Sequence, residues 1–323
     1  MTSTNKFKQI LSHITDHESL KSSFLTAVHT GDESLLRYCL TNGASPNFRN
    51  KEHLTALHIA ATKGDLVIGA LLLEQKSTRI DAEDDMGDTP LLNAISNIHL
   101  KFVILLLKNR ANPNVRNHFD KTGLHIAVSA GVEHIVTVLL HYKADPNVVD
   151  TYGNTPLSLS LIEHPNDGIA KILMASGANP NYRTMKPHPL FLELCLNCYS
   201  KKQLKYVKLL LNYGVDINIK NNISKQTALH IVSIAGYVPL AEFLLDNGAD
   251  PTLKDVLNRT PLDVAEQHEH RDLVLMFKER EFALEHENSI EERSSSSSSV
   301  TRRKHGYKSV KFSESSDDEF VII

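Results

Sequence analysis

Little in this chain of 323 residues points toward extracellular life, a membrane or catalysis. Cysteine is scarce, at three residues, and Cys39, Cys195 and Cys198 show no framework spacing, which excludes a disulfide scaffold and fits a reducing compartment. Long apolar runs are missing: nothing approaches the ~20 residues needed to span a bilayer, and Met1 to Leu20 is too polar for a signal peptide. No membrane insertion is expected, and a cytoplasmic location, with nuclear entry as a further option, follows. A strong charge of one sign is also missing. The formal net charge of -3 gives no general reason to bind nucleic acid directly or to approach an anionic membrane. Catalysis has the least support, since the chain has no glycine-rich phosphate loop, no compact Cys/His ligand set and no appended enzyme-sized domain. No enzyme activity, metal or cofactor is expected.

What is present is repetition. Thr55-Ala56-Leu57-His58-Ile59-Ala60 returns as Thr122-Gly123-Leu124-His125-Ile126-Ala127 and as Thr227-Ala228-Leu229-His230-Ile231-Val232. A proline form stands at Thr89-Pro90-Leu91, Thr155-Pro156-Leu157 and Thr260-Pro261-Leu262. Most anchors are 33 or 34 residues apart, and each is followed by an apolar helix and a close such as Asn247-Gly248-Ala249-Asp250-Pro251. This period and these motifs resemble the ankyrin repeat from about residue 20 to 278. The implied fold is all-α: a solenoid of stacked helix-turn-helix units with a disordered C-terminal tail. The expected organisation is an N-terminal extension or cap over 1–20, about seven to eight repeats over 21–278, irregular near 182–226, and a serine-rich, basic then acidic tail over 279–323.

The repeat's physical logic is visible around Thr122. Its hydroxyl can cap the following helix, Leu124, Ile126 and Ala127 supply an apolar face, and Gly131 permits a reversal. Ile135, Val136, Leu139 and Leu140 then form the stripe of a second helix. One such pair cannot bury both faces, so its neighbours must complete it. His58, His125 and His230 recur with the repeat rather than converging on a point, which reads as structural hydrogen bonding and not metal ligation. Helix closure uses Gly43, Gly177, Gly214 and Gly248, where a left-handed residue is expected. Arg110 and Lys143 hold the matching positions in two central repeats.

Two places break the period. One extra residue falls between Thr155 and Gly177, near His164-Pro165-Asn166-Asp167-Gly168. Further on, His188-Pro189-Leu190 replaces Thr-Pro-Leu and the distance to Thr227 grows to 39 residues through Leu196 to Lys202. Loop insertions cost little entropy, so this reads as drift or as a partner-specific bulge. Cys195 and Cys198 fall here; without two more ligands or a reactive helix start, Cys195 reads as apolar packing.

The resemblance implies a protein partner in the concave groove made by the turn fingers and first helices. Met86, His118, Phe119, Tyr152 and Arg259 are the groove candidates, since they lie on fingers and outside the helical stripes; aromatics beside charges are plausible anchors. The alternative for Phe119 and Tyr152 is packing across adjacent fingers. Asn147 and Asn218 stand in closings that resemble the recognition pattern of the asparaginyl hydroxylase that modifies ankyrin repeats.

The tail reads differently. Ser294 to Ser299 cannot bury enough apolar surface to order itself, and a basic run from Arg302 to His305 precedes the acids Asp317 to Glu319. Lys308, Val310 and Phe312 resemble the docking motif of protein phosphatase type 1 regulatory subunits, in which two apolar side chains of an extended segment point to one side. Ser309 lies inside that motif, and phosphate there would oppose docking. Ser315 and Ser316 resemble acidophilic kinase sites. The expected function is a non-catalytic adaptor that uses the ankyrin surface, sharpened by the tail to targeting of the phosphatase type 1 catalytic subunit. The competing readings are an ankyrin-type inhibitor or cofactor of a transcription regulator, and a substrate receptor of a ubiquitin ligase.

Overall fold

A computed structural model describes residues 17–181, 188–198 and 201–295, the last of which fall into two compact units divided between Val274 and Leu275. The described residues form seven helical pairs and two further helices: α1 (His17–Thr30) and α2 (Glu33–Thr41); α3 (Ala56–Lys63) and α4 (Leu66–Leu73); α5 (Pro90–Ser96) and α6 (Leu100–Lys108); α7 (Gly123–Ser129) and α8 (Glu133–His141); α9 (Pro156–Ser158, continued by a π-helical turn Leu159–Glu163) and α10 (Asp167–Ala175); α11 (Leu190–Leu196) and α12 (Lys201–Asn212); α13 (Ala228–Ala235) and α14 (Val238–Asp246); then α15 (Pro261–Gln267) and α16 (Arg271–Ser295). Among these residues the one β interaction is an isolated antiparallel bridge between Arg49 and Thr55. Leu20 and Phe24 of α1 are buried and belong to its packed face. Helical backbone also runs beyond Lys278, to Ser295.

Most first helices start by the same device. Thr55 Oγ1 accepts from the His58 amide, Thr155 Oγ1 from Ser158 and Thr260 Oγ1 from Asp263, and proline at the first helical position costs no bond because that N–H is unpaired in any helix. Consecutive first helices pack on one another through small and branched residues, as α3 does on α5 and α13 on α15. Gly69 on α4 shows how close the second helices come: a Cβ there would lie 2.6 Å from the Phe102 ring of α6. Phe102, Leu106, Ile68 and Leu72 are fully buried at this seam.

Both breaks in the period have structural answers. The extra residue after Thr155 becomes a wide turn of helix. His164 N–H donates to Leu159 O at 2.8 Å, an i to i−5 bond, and the chain re-enters register when Asn166 N–H donates to Ser160 O. The longer insertion is not simply a loop: α12 has 12 residues where the other second helices of the stack through α14 have 8 or 9. The rest of that region, 182–187 and 199–200, lies outside the described residues.

Arg110 and Lys143 adopt the left-handed conformation expected of glycine, at φ 70° and 67°. Ile98 does the same at φ 60° and Glu269 at 59°, where four other reversals use Gly31, Gly64, Gly131 and Gly236. For a β-branched side chain this is a strained backbone.

Candidate protein-binding surface

Three ladders of polar groups run along the stack and fix the surface that the fingers present. The first is built from the repeated histidines. His125 Nδ1 accepts from Thr122 N–H at 3.1 Å and from the Thr122 hydroxyl at 2.9 Å, while Nε2 donates to Asn154 O of the next repeat at 3.2 Å. His58 and His230 repeat the arrangement, donating to Asp88 O at 3.1 Å and Arg259 O at 3.0 Å. A carbonyl facing Nε2 and an amide facing Nδ1 fix the neutral tautomer. Burial lowers all three imidazoles below their ordinary value, with the carbonyl hydrogen bond pushing back. These side chains are pins between repeats.

The second ladder lies in the closing loops. Asn47 Oδ1 accepts from Arg79 N–H, Asn114 from Asp145, Asn147 from Asn179 and Asn218 from Asp250, at 2.7–2.8 Å. Asn147 Nδ2 also donates to Gly177 O at 3.1 Å. Both candidate hydroxylation residues therefore sit half-buried in inter-repeat bonds. Asp81 takes the same place in another repeat, and burial raises its carboxyl.

The third ladder shapes the fingers. In the described fingers one Asn or Asp side chain accepts two backbone N–H groups. Asp84 Oδ1 holds Met86 and Asp88 at 2.8 and 2.9 Å, Asn117 holds Phe119 and Lys121 at 3.0 Å, and Asp150 holds Tyr152 and Asn154 at 2.9 and 2.8 Å. Asn221 holds Ile223 and Asp255 holds Leu257 in the same way. The residue two places after the acceptor is thereby pushed to the tip. Adjacent fingers are tied as well: His118 N–H donates to Met86 O at 3.0 Å and Thr151 N–H to Phe119 O at 3.1 Å.

Met86, Phe119 and Tyr152 are consequently tips of three consecutive fingers, 50%, 40% and 63% exposed. His118 is exposed beside them with its ring over Gly87, and Lys121 Nζ lies 5.8 Å from the Tyr152 ring centre. Arg259 is not brought to this cluster. It stands on the finger before α15, where its guanidinium is held by Asp255 Oδ2 at 2.8 and 3.0 Å and by Gln267 at 2.5 Å, and its carbonyl accepts from His230. Sequence reading missed a second apolar group near it: Ile223, Val256 and Leu257, 74%, 64% and 66% exposed, on fingers joined by Val256 N–H to Ser224 O at 2.9 Å. The Asn or Asp two residues before Ile223 and Leu257 is the signal that could have found them. Lys308, Ser309, Val310, Phe312, Ser315 and Ser316 lie outside the described residues.

All three cysteines are buried. Burial pushes the Cys39 thiol up to about 11 and raises the Cys195 thiol as well, and Cys195 packs among the apolar residues of α11. Among the described residues no three His, Cys, Asp or Glu side chains group as a metal site, and no helix is long and apolar enough to cross a membrane.

Paired helices at a 33-residue step, pinned by histidine and topped by ordered fingers, define an ankyrin-repeat solenoid, a non-catalytic class of interaction domain. The family model "Ankyrin repeats (3 copies)" matches residues 24–117, 105–184 and 194–287, and the chain belongs to that family. It is similar to the nuclear factor NF-kappa-B p105 subunit of Gallus gallus, 30% identical over 224 residues, which are 67% of this chain and 22% of that protein. It is 35% identical over 144 residues to the B-cell lymphoma 3 protein homolog of Mus musculus, covering 42% of this chain and 32% of that one. The transient receptor potential channel pyrexia of Drosophila melanogaster is 37% identical over 139 residues, 43% of this chain and 14% of the channel. Among solved structures, the ankyrin repeat domain of Bcl-3, described as a member of the IkappaB protein family, superposes with a TM-score of 0.61 at 27% identity, covering 67% of this chain and 95% of that domain. The chain thus spans less than a third of the curated p105 and channel relatives it matches.

Proposed function

We propose that this protein holds a transcription regulator on its apolar fingertips and acts as its inhibitor or cofactor. The observation that carries the reading is the set of five exposed tips, Met86, Phe119, Tyr152, Ile223 and Leu257, each on a finger folded around an Asn or Asp acceptor. Large apolar side chains on a pre-ordered backbone bind with little ordering entropy, which is how rigid anchors contribute most. Likeness to p105 and to the Bcl-3 domain, with the latter covered along nearly its whole length, supports this class of partner over an unspecified adaptor role. The direct test is calorimetry of the full chain against an NF-kappa-B-type transcription factor dimer, with and without its DNA. Saturable binding that weakens roughly ten-fold on combining Phe119→Ala and Tyr152→Ala is expected, about what the loss of an interface anchor costs. Absence of binding to either form sinks the reading.

A second reading rests on Lys308, Val310 and Phe312. If that segment docks the phosphatase type 1 catalytic subunit, the chain targets a phosphatase to whatever the fingers hold, in the cytoplasm or the nucleus. Binding of purified catalytic subunit that survives Val310→Ala with Phe312→Ala would remove it.

A further inference from the structure

A cavity of about 250 Å³ opens between α10 and α12, far in sequence from the fingertip residues and on the second helices rather than the first. Three lysines line it, Lys171 from α10 and Lys205 and Lys208 from α12, against one carboxylate, Asp167. Asp167 is already neutralised, because both its oxygens lie 2.9 Å from Lys205 Nζ. Lys171 and Lys208 are exposed, and among the described residues neither makes an ion pair. Lys208 is nonetheless held in place, its Nζ 5.1 Å from the centre of the Phe243 ring. Buried Tyr206 forms part of the wall.

Two of these lysines come from α12, whose sequence, Lys201 to Asn212, has four lysines and no acid, within a chain whose net charge is -3.

We infer that this cavity is a binding site for an acidic, phosphorylated peptide segment of a partner protein, with Lys171 and Lys208 as the cations that meet its phosphate. Charge complementarity commits the site to an anion, and the small volume, about the room for a phosphorylated side chain and little more, commits it to a short segment. A membrane surface or a nucleic acid would meet the same lysines but would also lay a long polyanion along a protein of net negative charge. The site goes beyond the fingertip reading and does not depend on it.

The test is fluorescence anisotropy of the full-length protein with a labelled Asp-Asp-phosphoserine-Asp-Glu peptide, its unphosphorylated twin, phosphatidylserine-containing vesicles and a single-stranded RNA. The phosphopeptide should bind saturably, more tightly than its twin, and more weakly as salt rises. Lys171→Glu combined with Lys208→Glu should weaken it roughly ten-fold, whereas Lys101→Glu on α6, also an exposed lysine of a second helix, should leave it within about two-fold. Circular dichroism melts of each variant confirm that the stack is intact; if a glutamate variant unfolds, Lys171→Gln with Lys208→Gln replaces it. No saturable binding, equal loss in the Lys101 control, or tighter binding to vesicles or RNA overturns the inference. Because Phe119→Ala with Tyr152→Ala leaves this site untouched, its failure and that of the fingertip reading separate cleanly.

Discussion

Replacing His125 with alanine tests whether the histidine pins hold the repeats together. The side chain is fully buried and serves three polar groups. Asn154 O would keep a partner, since it also accepts from Asp150 N–H at 2.9 Å. Thr122 N–H would lose its acceptor in a site closed to water, which costs about 1–3 kcal/mol. The vacated ring volume adds a cavity term of about 1–2 kcal/mol where the surroundings cannot collapse. The sum is about 2–5 kcal/mol. Urea unfolding followed by far-ultraviolet circular dichroism at pH 7.5 measures it, with His134→Ala as control, because His134 is exposed on α8. The control should lie within about 0.5 kcal/mol of the parent. Repeat arrays can unfold in segments, so amide exchange should also be read; protection should fall first in α7 and in the finger at Asp150 to Asn154. A midpoint for His125→Ala equal to that of His134→Ala would refute the assignment of the histidines as pins.

Four further outcomes are expected. His58, His125 and His230 have folded-state values below the unfolded 6.5, so their neutral form's contribution is complete above that pH and is lost as the pH falls from 6.5 toward the folded values. Thermal melts should therefore drop steeply between about pH 6.5 and 5, less so after His58→Gln with His230→Gln; a flat profile would contradict the tautomer assignment. Asp81 and Asp88, raised by burial, act in the opposite sense in the lower range above 3.8. Arg110→Gly and Lys143→Gly relieve a left-handed cost of about 1–2 kcal/mol against a smaller entropic penalty for glycine, and each should raise the melting temperature by about 1–3 °C; a fall in both would show that the side chains make stabilising contacts. Gly69→Leu should destabilise by about 2 kcal/mol or more, since even its Cβ meets Phe102 at 2.6 Å, and unchanged stability would mean that α4 and α6 shift apart freely. Cys39, Cys195 and Cys198 should react with a thiol reagent only as fast as the stack unfolds, which a fast native-state phase would disprove.

Much of the fold was legible because its signals are local and repeated. Threonine three places before histidine names a cap and a pin at once, and a glycine or its stand-in marks each closing turn, so even Arg110 and Lys143 announced their backbone by position. The exposed tips at Met86, Phe119 and Tyr152 were legible because they fall outside the helical stripes. Ile223, Val256 and Leu257 were not recognised, because an apolar residue in a loop looks like packing until the Asn or Asp behind it is seen to turn it outward. His99 and His270 escaped notice for a related reason. Each donates to a carbonyl of the preceding repeat, Thr62 O and Ile234 O, at 3.0 Å, with its ring over Gly64 or Gly236. Neither belongs to the repeated motif.

The sequence by itself determined that the chain is an ankyrin stack, because period, caps and turns are properties of residues close together along the chain. Only the tertiary structure decided which carbonyl of the next repeat each buried histidine reaches, and that Lys205 of α12 meets Asp167 of α10 beside a cavity. Those facts depend on residues such as His125 and Asn154, 29 apart, or Asp167 and Lys205, 38 apart, meeting across repeats. No local pattern records such distances, since each pairing is set by how one repeat seats on the next.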